Sequence, residues 1–324
     1  MNQKYDDINF SDVKTYSIKD RASRVSIDDI GSPVREGMTF LNFLDSLPNV
    51  LAAGDLKKIA RTISLAYREE ATVAIGIGAH VIKVGLAPLL IDFMKKGIVS
   101  ALAMNGACIV HDFELAYTGC TSENVAEELA NGRFGMAEET GKLLNLAIRD
   151  GVEHGSGIGK AVGEMINREE LPYASHSILA AAAKLNIPAT VHVGIGTDII
   201  HMSPHVDGAA LGEGSLTDFK TFTSVVSRLE GGVYLNIGSA VMLPEVFLKA
   251  LTLARNLGYK VDTFTTVNMD FIQHYRPLTN VVKRPTGAAG AGYALTGHHE
   301  IMLPLLFAAV TEELSGRLVQ SPNA

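Results

Sequence analysis

Apolar positions along the chain fall into two alternating patterns. Short, nearly unbroken apolar runs end in glycine, asparagine or aspartate: ATVAIGIGAHV (71–81), VSALAMNGA (99–107), IPATVHVGIG (187–196), GVYLNIGSAV (232–241) and KVDTFTTVNMD (260–270). Such runs predict strands buried on both faces, each followed by a loop that needs conformational freedom. Between them lie segments of helical period. These are FLNFLDSLPNVLAAGDLKKIARTISLAYREE (40–70, with a second helix from Asp55), VGLAPLLIDFMKKG (84–97), SENVAEELANG (122–132) and FGMAEETGKLLNLAIRDG (134–151), then HSILAAAAKLN (176–186), DFKTFTSVVSRLEG (218–231), PEVFLKALTLARNLG (244–258) and HEIMLPLLFAAVTEELSGRL (299–318). Strands alternating with helices of this length predict a doubly wound, mostly parallel, Rossmann-like α/β sheet. The charged, turn-rich residues 1–35, closed by Gly31, Ser32 and Pro33, read as a partly ordered N-terminal arm. No linker-like stretch follows, so residues 36–324 read as a single nucleotide-binding domain.

Ligands of such sheets bind beyond the carboxyl ends of the strands. Those ends hold Gly78, Ala79, His80 and Lys83; Asn105, Gly106 and Ala107; Asp198; Gly238 and Ser239; and Asp270, with Thr266 on the same strand. Glycine at four of the five turns lets a ligand approach the backbone, which suits a nucleotide-sized molecule.

Composition narrows the classes. Of 324 residues 47% are apolar, which is ample for a buried core, and the net charge of −7 is spread without a long basic run. No nucleic-acid partner is therefore expected. The longest apolar stretches are broken by Lys83, Pro88 and Asp92, so no membrane span is expected. Two cysteines, Cys108 and Cys120, and a polar start without an apolar leader point to a cytoplasmic protein.

Several motifs lead nowhere sharper. HGSGIGKAVG (154–163) has His154 where a phosphate loop needs glycine and Ala161 where it needs Ser or Thr. No GxGxxG opens a helix after the first strand. His192, His201, His205 and Asp207 show no zinc-ligand spacing, and Pro204 interrupts the histidine pair, so no metal is expected. In VHDFELA (110–116), His111 and Asp112 read equally as a helix start and as a His–Asp pair lining the crevice.

Over roughly residues 40–315 the chain resembles the deoxyhypusine synthase family. The resemblance is carried by AIGIGAHVIKVGLAPLLIDFMKKGIVSALAMNGACIVHDFELA, SILAAAAKLNIPATVHVGIGTDII, GVYLNIGSAV, RPLTNVV and GHHEIMLPLL, in that order. It implies a homotetramer of Rossmann-like subunits that holds NAD as cofactor. The implied chemistry oxidises a polyamine and passes an aminobutyl group, through an imine, to an enzyme lysine, a residue suited to imine formation. On this reading Lys283, His298 and Asp198 are the catalytic candidates. Gly78, Ala79, His80, Lys83, Asn105, Gly106, Ala107, His111, Asp112, Gly238, Ser239, Thr266 and Asp270 form the cofactor set. The departures are specific. Lys283 falls two positions early, Thr279 replaces an acid, His298 replaces an aspartate, and the chain has no tryptophan. Two alternatives follow: an enzyme of the same fold acting on an anionic small substrate, favoured by Lys83, His80 and His298–His299, and a non-catalytic nucleotide-binding protein.

Overall fold

The computed structural model describes residues 5, 8–287 and 289–316. Residues 317 and 318 of the predicted helical tail, and residues 1–4, 6 and 7 of the predicted arm, lie outside the described residues. The five predicted strands form as β1 (Val73–Ile77), β2 (Ala101–Asn105), β3 (Ala189–His192), β4 (Val233–Ile237) and β5 (Thr265–Asp270); a sixth, β6 (Ala291–Thr296), arises from the glycine-rich stretch before His298. All pairings are parallel, in the order β3-β2-β1-β4-β5-β6. The sheet grows in one direction from β1 to β3 and in the other from β4 to β6. The carboxyl ends of β1 and β4 therefore flank a topological switch point, where a doubly wound sheet opens its crevice.

The helices are α1 (Phe40–Ser46), α2 (Leu51–Arg68), α3 (His80–Lys83), α4 (Ala87–Lys95), α5 (Gly106–Thr118), α6 (Val125–Ala130), α7 (Glu138–Glu153), α8 (Ile158–Arg168), α9 (Ile178–Leu185), α10 (Gly208–Val226), α11 (Met242–Asn256), α12 (Tyr275–Pro277) and α13 (His299–Leu314). A π-helical turn, Leu278–Lys283, continues α12. Strand alternation divides the core into two layers. Val73, Ile75, Ile77, Leu102, Met104, Val267 and Met269 meet the layer containing α2, α4, α5, α9 and α13. Small residues line the other face (Ala74, Gly76, Ala101 and Ala103), and large rings fill the space they leave. There Tyr234 stacks on Phe247 of α11 at 4.0 Å and lies 6.0 Å from Phe222 of α10. Each such fully buried side chain contributes about 1.5–3 kcal/mol.

The segment from residue 8 to residue 37 makes three single 3₁₀ turns, capped by Asn9, Ser17 and Ser26. Its large apolar side chains, Phe10, Tyr16 and Ile27 among them, are exposed. Backbone hydrogen bonds tie its end to the body, from Ser32 N to Ser46 O and from Asn49 N to Asp29 O. No helix among the described residues is long and apolar enough to cross a membrane.

Candidate active site

At the switch point two backbones touch. Gly78 N donates to Ile237 O at 2.9 Å and Gly238 N to Met269 O at 3.0 Å. A Cβ on Gly78 would stand 2.1 Å from Gly238 O, so no larger residue fits. Gly238 has φ +69°, and a Cβ there would stand 2.7 Å from His299 Nε2. Both glycines thus serve close approach in a left-handed or crowded backbone, and they bring the loops after β1 and β4 against the first residue of α13.

His299 is the central group. It is 1% exposed, and neither ring nitrogen has a hydrogen-bond partner among the described residues. Its Nε2 lies 3.8 Å from Asp270 Oδ1 at the end of β5. Burial lowers its pKa below the ordinary value, while the Asp270 carboxylate acts the other way. The imidazole is therefore neutral near pH 7, with a carboxylate beside it. Around it, the His80 ring lies 5.9 Å away and the Phe271 ring 6.3 Å. His298 stacks on Phe271 at 6.1 Å and is exposed. An unpaired polar side chain inside a protein costs about 1–3 kcal/mol per group and requires a reason.

The other half of the edge is built on β2 and α5. Asp198 packs on the backbone of Gly106, where a Cβ would stand 2.2 Å from its Oδ2, and it accepts from the Ala107 N–H. The carboxylate thus caps the amino end of α5, a position that attracts negative charge. Burial raises its pKa, and its Oδ2 has no hydrogen-bond partner among the described residues. Asn105 Oδ1 accepts from the buried Cys108 thiol at 3.0 Å. His111, half-buried, faces Thr121 Oγ1 at 2.7 Å. Burial first, and then the charge of Lys83, lower its pKa to about 4.

Four sequence expectations change. Asp112 does not pair with His111, because neighbouring helix residues point in different directions. Its buried carboxylate accepts from Ser177 Oγ (2.6 Å), Ile178 N (2.8 Å) and Leu179 N (3.1 Å), capping α9 instead. Thr266 is fully buried and its hydroxyl donates to Val281 O at 2.6 Å, which removes it from the cofactor set. Ser239 is buried, and its hydroxyl accepts from Leu243 N in the first turn of α11. Lys283 follows Val282, whose carbonyl faces Gly292 near the amino end of β6. Four strand residues, roughly 13 Å, separate that backbone level from the carboxyl edge, and Lys283 is exposed.

The glycine-rich HGSGIGKAVG also finds a structural explanation. Gly157 admits the carboxylate of Asp218, which accepts from Gly159 N (3.0 Å) and Val191 N (2.8 Å), and Gly159 admits the carbonyl of Ala189 at the start of β3. A cleft of about 400 Å³ beside it is lined by Lys160, Asn186 and Thr217. It opens at the amino end of β3, the wrong edge for a ligand of this sheet. His192 is buried against Thr190 Oγ1, and His201 Nδ1 accepts from Gly196 N. No group of three or more His, Cys, Asp or Glu among the described residues is placed to hold a metal. The sequence pointed to His299 only as the partner of His298 in favouring an anionic substrate, and Phe271 was missed; the signal of each was position, since each directly follows a residue already singled out.

No protein-family model matches the chain, and no curated protein sequence matches it. Solved structures are similar in fold. A LOR/SDH protein from Methanococcus maripaludis is 19% identical with a TM-score of 0.52, over 84% of this chain and 71% of its own. AgrE, solved in a ternary complex with ornithine and NAD⁺, is 14% identical with a TM-score of 0.51; 82% of this chain spans only 33% of AgrE. An Entamoeba histolytica protein described as a candidate deoxyhypusine synthase is 14% identical with a TM-score of 0.50, over 86% of this chain and 95% of its own. These likenesses establish the fold: the chain is a Rossmann-like, doubly wound α/β protein of the kind found in those three structures.

Proposed function

We propose that the protein is an NAD-dependent enzyme that oxidises or reduces a small substrate at the carboxyl edge of its sheet. One observation carries this reading: at the β1/β4 switch point, where two glycine backbones meet, the buried His299 offers two unpaired ring nitrogens beside Asp270. The fold relationship to AgrE, whose structure contains NAD⁺, supports it.

The residues fit the cofactor in kind. Gly78 and Gly238 let the loops after β1 and β4 meet beside His299, next to Ala79, and His80 and Lys83 on α3 supply donors and positive charge for a diphosphate. When bound, NAD accepts or donates the hydride. His299, neutral at pH 7, is suited to take the substrate proton released as a C–H bond is oxidised, and Asp270 stabilises the imidazolium that results. Phe271 and His298 form the exposed wall above them.

A covalent aminobutyl intermediate on Lys283 loses support from the position of that lysine. The edge carries Lys83, His80 and His298 beside the buried Asp198 and Asp270, which favours the second expectation, a substrate with an anionic group. A homotetramer remains a proposal inherited from the family resemblance, and a soluble cytoplasmic location one drawn from the cysteine content and the polar start. The test is reduction of NAD by the purified protein against a panel of amino, hydroxy and polyamine substrates. Turnover that His299→Ala abolishes and Lys283→Met leaves unchanged is expected. Turnover lost in Lys283→Met, with a trapped adduct on that lysine, would restore the transferase reading.

A further inference from the structure

A chain of polar side chains runs from His111 through Thr121 to Glu114 and Thr140. Glu114 lies one turn beyond His111 on α5, and Thr121 lies in the loop that follows the left-handed Gly119 cap. Thr121 Oγ1 donates to Glu114 Oε2 at 2.5 Å, and Thr140 Oγ1, from α7, donates to Glu114 Oε1 at 3.1 Å. Glu114 is thus held by two hydroxyls from different elements. Thr121 has a single hydroxyl proton, which is committed to the carboxylate. Towards His111, 2.7 Å away, its oxygen can therefore only accept. It follows that His111 Nδ1 carries the ring proton and Nε2 carries a bare lone pair. No hydrogen bond engages Nε2 among the described residues.

We propose that Glu114 and Thr121 are positioning residues that lock His111 as its Nδ1–H tautomer, so that Nε2 accepts a hydrogen bond from a hydroxyl of the bound nucleotide beside Lys83. Polarity is the substance of the inference. A free histidine prefers the opposite tautomer, whose Nε2–H would donate to a hydroxyl oxygen and leave no lone pair to accept the hydroxyl's own proton. A neutral acceptor next to the Lys83 ammonium suits a ribose next to a phosphate, with the lysine taking the anionic oxygens and the imidazole the hydroxyl. Burial and the Lys83 charge keep the ring neutral, which preserves the lone pair at neutral pH. The ligand half of this inference rests on the proposed NAD site; the tautomer half does not.

The experiment is two-bond ¹H–¹⁵N NMR of the full chain with labelled histidine, His111 being assigned by its loss in His111→Gln. Wild type is expected to show the Nδ1–H tautomer. Thr121→Val should move it towards Nε2–H, and Thr121→Ser, which keeps the hydroxyl, should restore it. Added NAD should shift the Nε2 resonance of wild type, and Thr121→Val should bind NAD roughly fivefold to tenfold more weakly, the worth of one hydrogen bond, with Thr121→Ser within about twofold. An Nε2–H tautomer in wild type overturns the relay even if Thr121→Val fails to fold. An unchanged tautomer in folded Thr121→Val overturns it too. NAD binding that leaves the His111 resonance still overturns the ligand half alone. Absence of NAD binding, with the tautomer as expected, overturns the cofactor reading and leaves the relay standing.

Discussion

Replacing Gly78 by alanine probes the switch point with a single methyl group. That methyl would stand 2.1 Å from Gly238 O, 2.8 Å from Gly238 C and 3.4 Å from Ser239 N. An ordinary contact lies near 3.4 Å, so one backbone must retreat by about 1 Å. No flexible side chain is available to move. Gly78 N is held by Ile237 O, Gly238 N by Met269 O, and Ser239 caps Leu243 N. Overpacking costs about 1–3 kcal/mol, and loosening one buried backbone hydrogen bond adds about 1–3 kcal/mol, so a loss of about 2–6 kcal/mol is expected. Urea unfolding followed by circular dichroism measures it, with Gly212→Ala as the control. Gly212 lies inside α10 with nothing within 4 Å of its added Cβ, and the substitution should stabilise by about 0.5–1 kcal/mol. A Gly78→Ala protein as stable as wild type would refute the close approach on which the site is built.

Three further outcomes are expected. Tyr234 OH is buried without a hydrogen-bond partner among the described residues and rests over Gly76, so Tyr234→Phe should leave stability equal or raise it by about 1 kcal/mol, and it should relieve part of the damage of Gly76→Ala in the double variant. Burial raises the Asp112 carboxyl from 3.8 to about 6, so the fold binds a proton that the unfolded chain releases between those values. Its contribution to stability is therefore largest below about pH 4 and falls as pH rises towards 6, by up to about 3 kcal/mol; comparing the pH dependence of urea midpoints for wild type and Asp112→Asn should show that slope flattened in the variant. Lys283→Met should change NAD affinity by less than about twofold in a fluorescence titration, since the lysine lies roughly a strand's length from the edge.

Five strands were legible because parallel strands buried on both faces spell continuous apolar runs. The sixth, AGYALT, was not, since it is an edge strand with largely half-exposed side chains following a glycine-rich turn. Helix α10 begins at Gly208, ten residues before the predicted DFKTF segment, because Gly208, Gly212 and Gly214 dilute the helical pattern. The list of residues at the strand ends was readable from the same runs, and most of it lies along one edge. Which side chains turn towards the crevice was not readable. Asp112 and Asp218 read as acids at helix starts, yet they lie inside α5 and α10, and only three dimensions show that each is consumed by backbone N–H groups of α9, α8 or β3. Glycines that resembled phosphate-loop or cofactor positions, Gly106, Gly157 and Gly159, prove to accommodate carboxylates or strand backbone. His299 was legible only as one of the His298–His299 pair, because adjacent residues at a helix start differ in burial only after packing.

The most direct test of the central claim is a calorimetric titration of NAD⁺ and NADH into the folded wild-type protein, repeated with His299→Ala and with Gly238→Val. Saturable binding to wild type is expected, weakening at least tenfold in Gly238→Val, whose side chain would enter the space held by His299. No saturable binding of either form to folded wild type at millimolar concentration would contradict it.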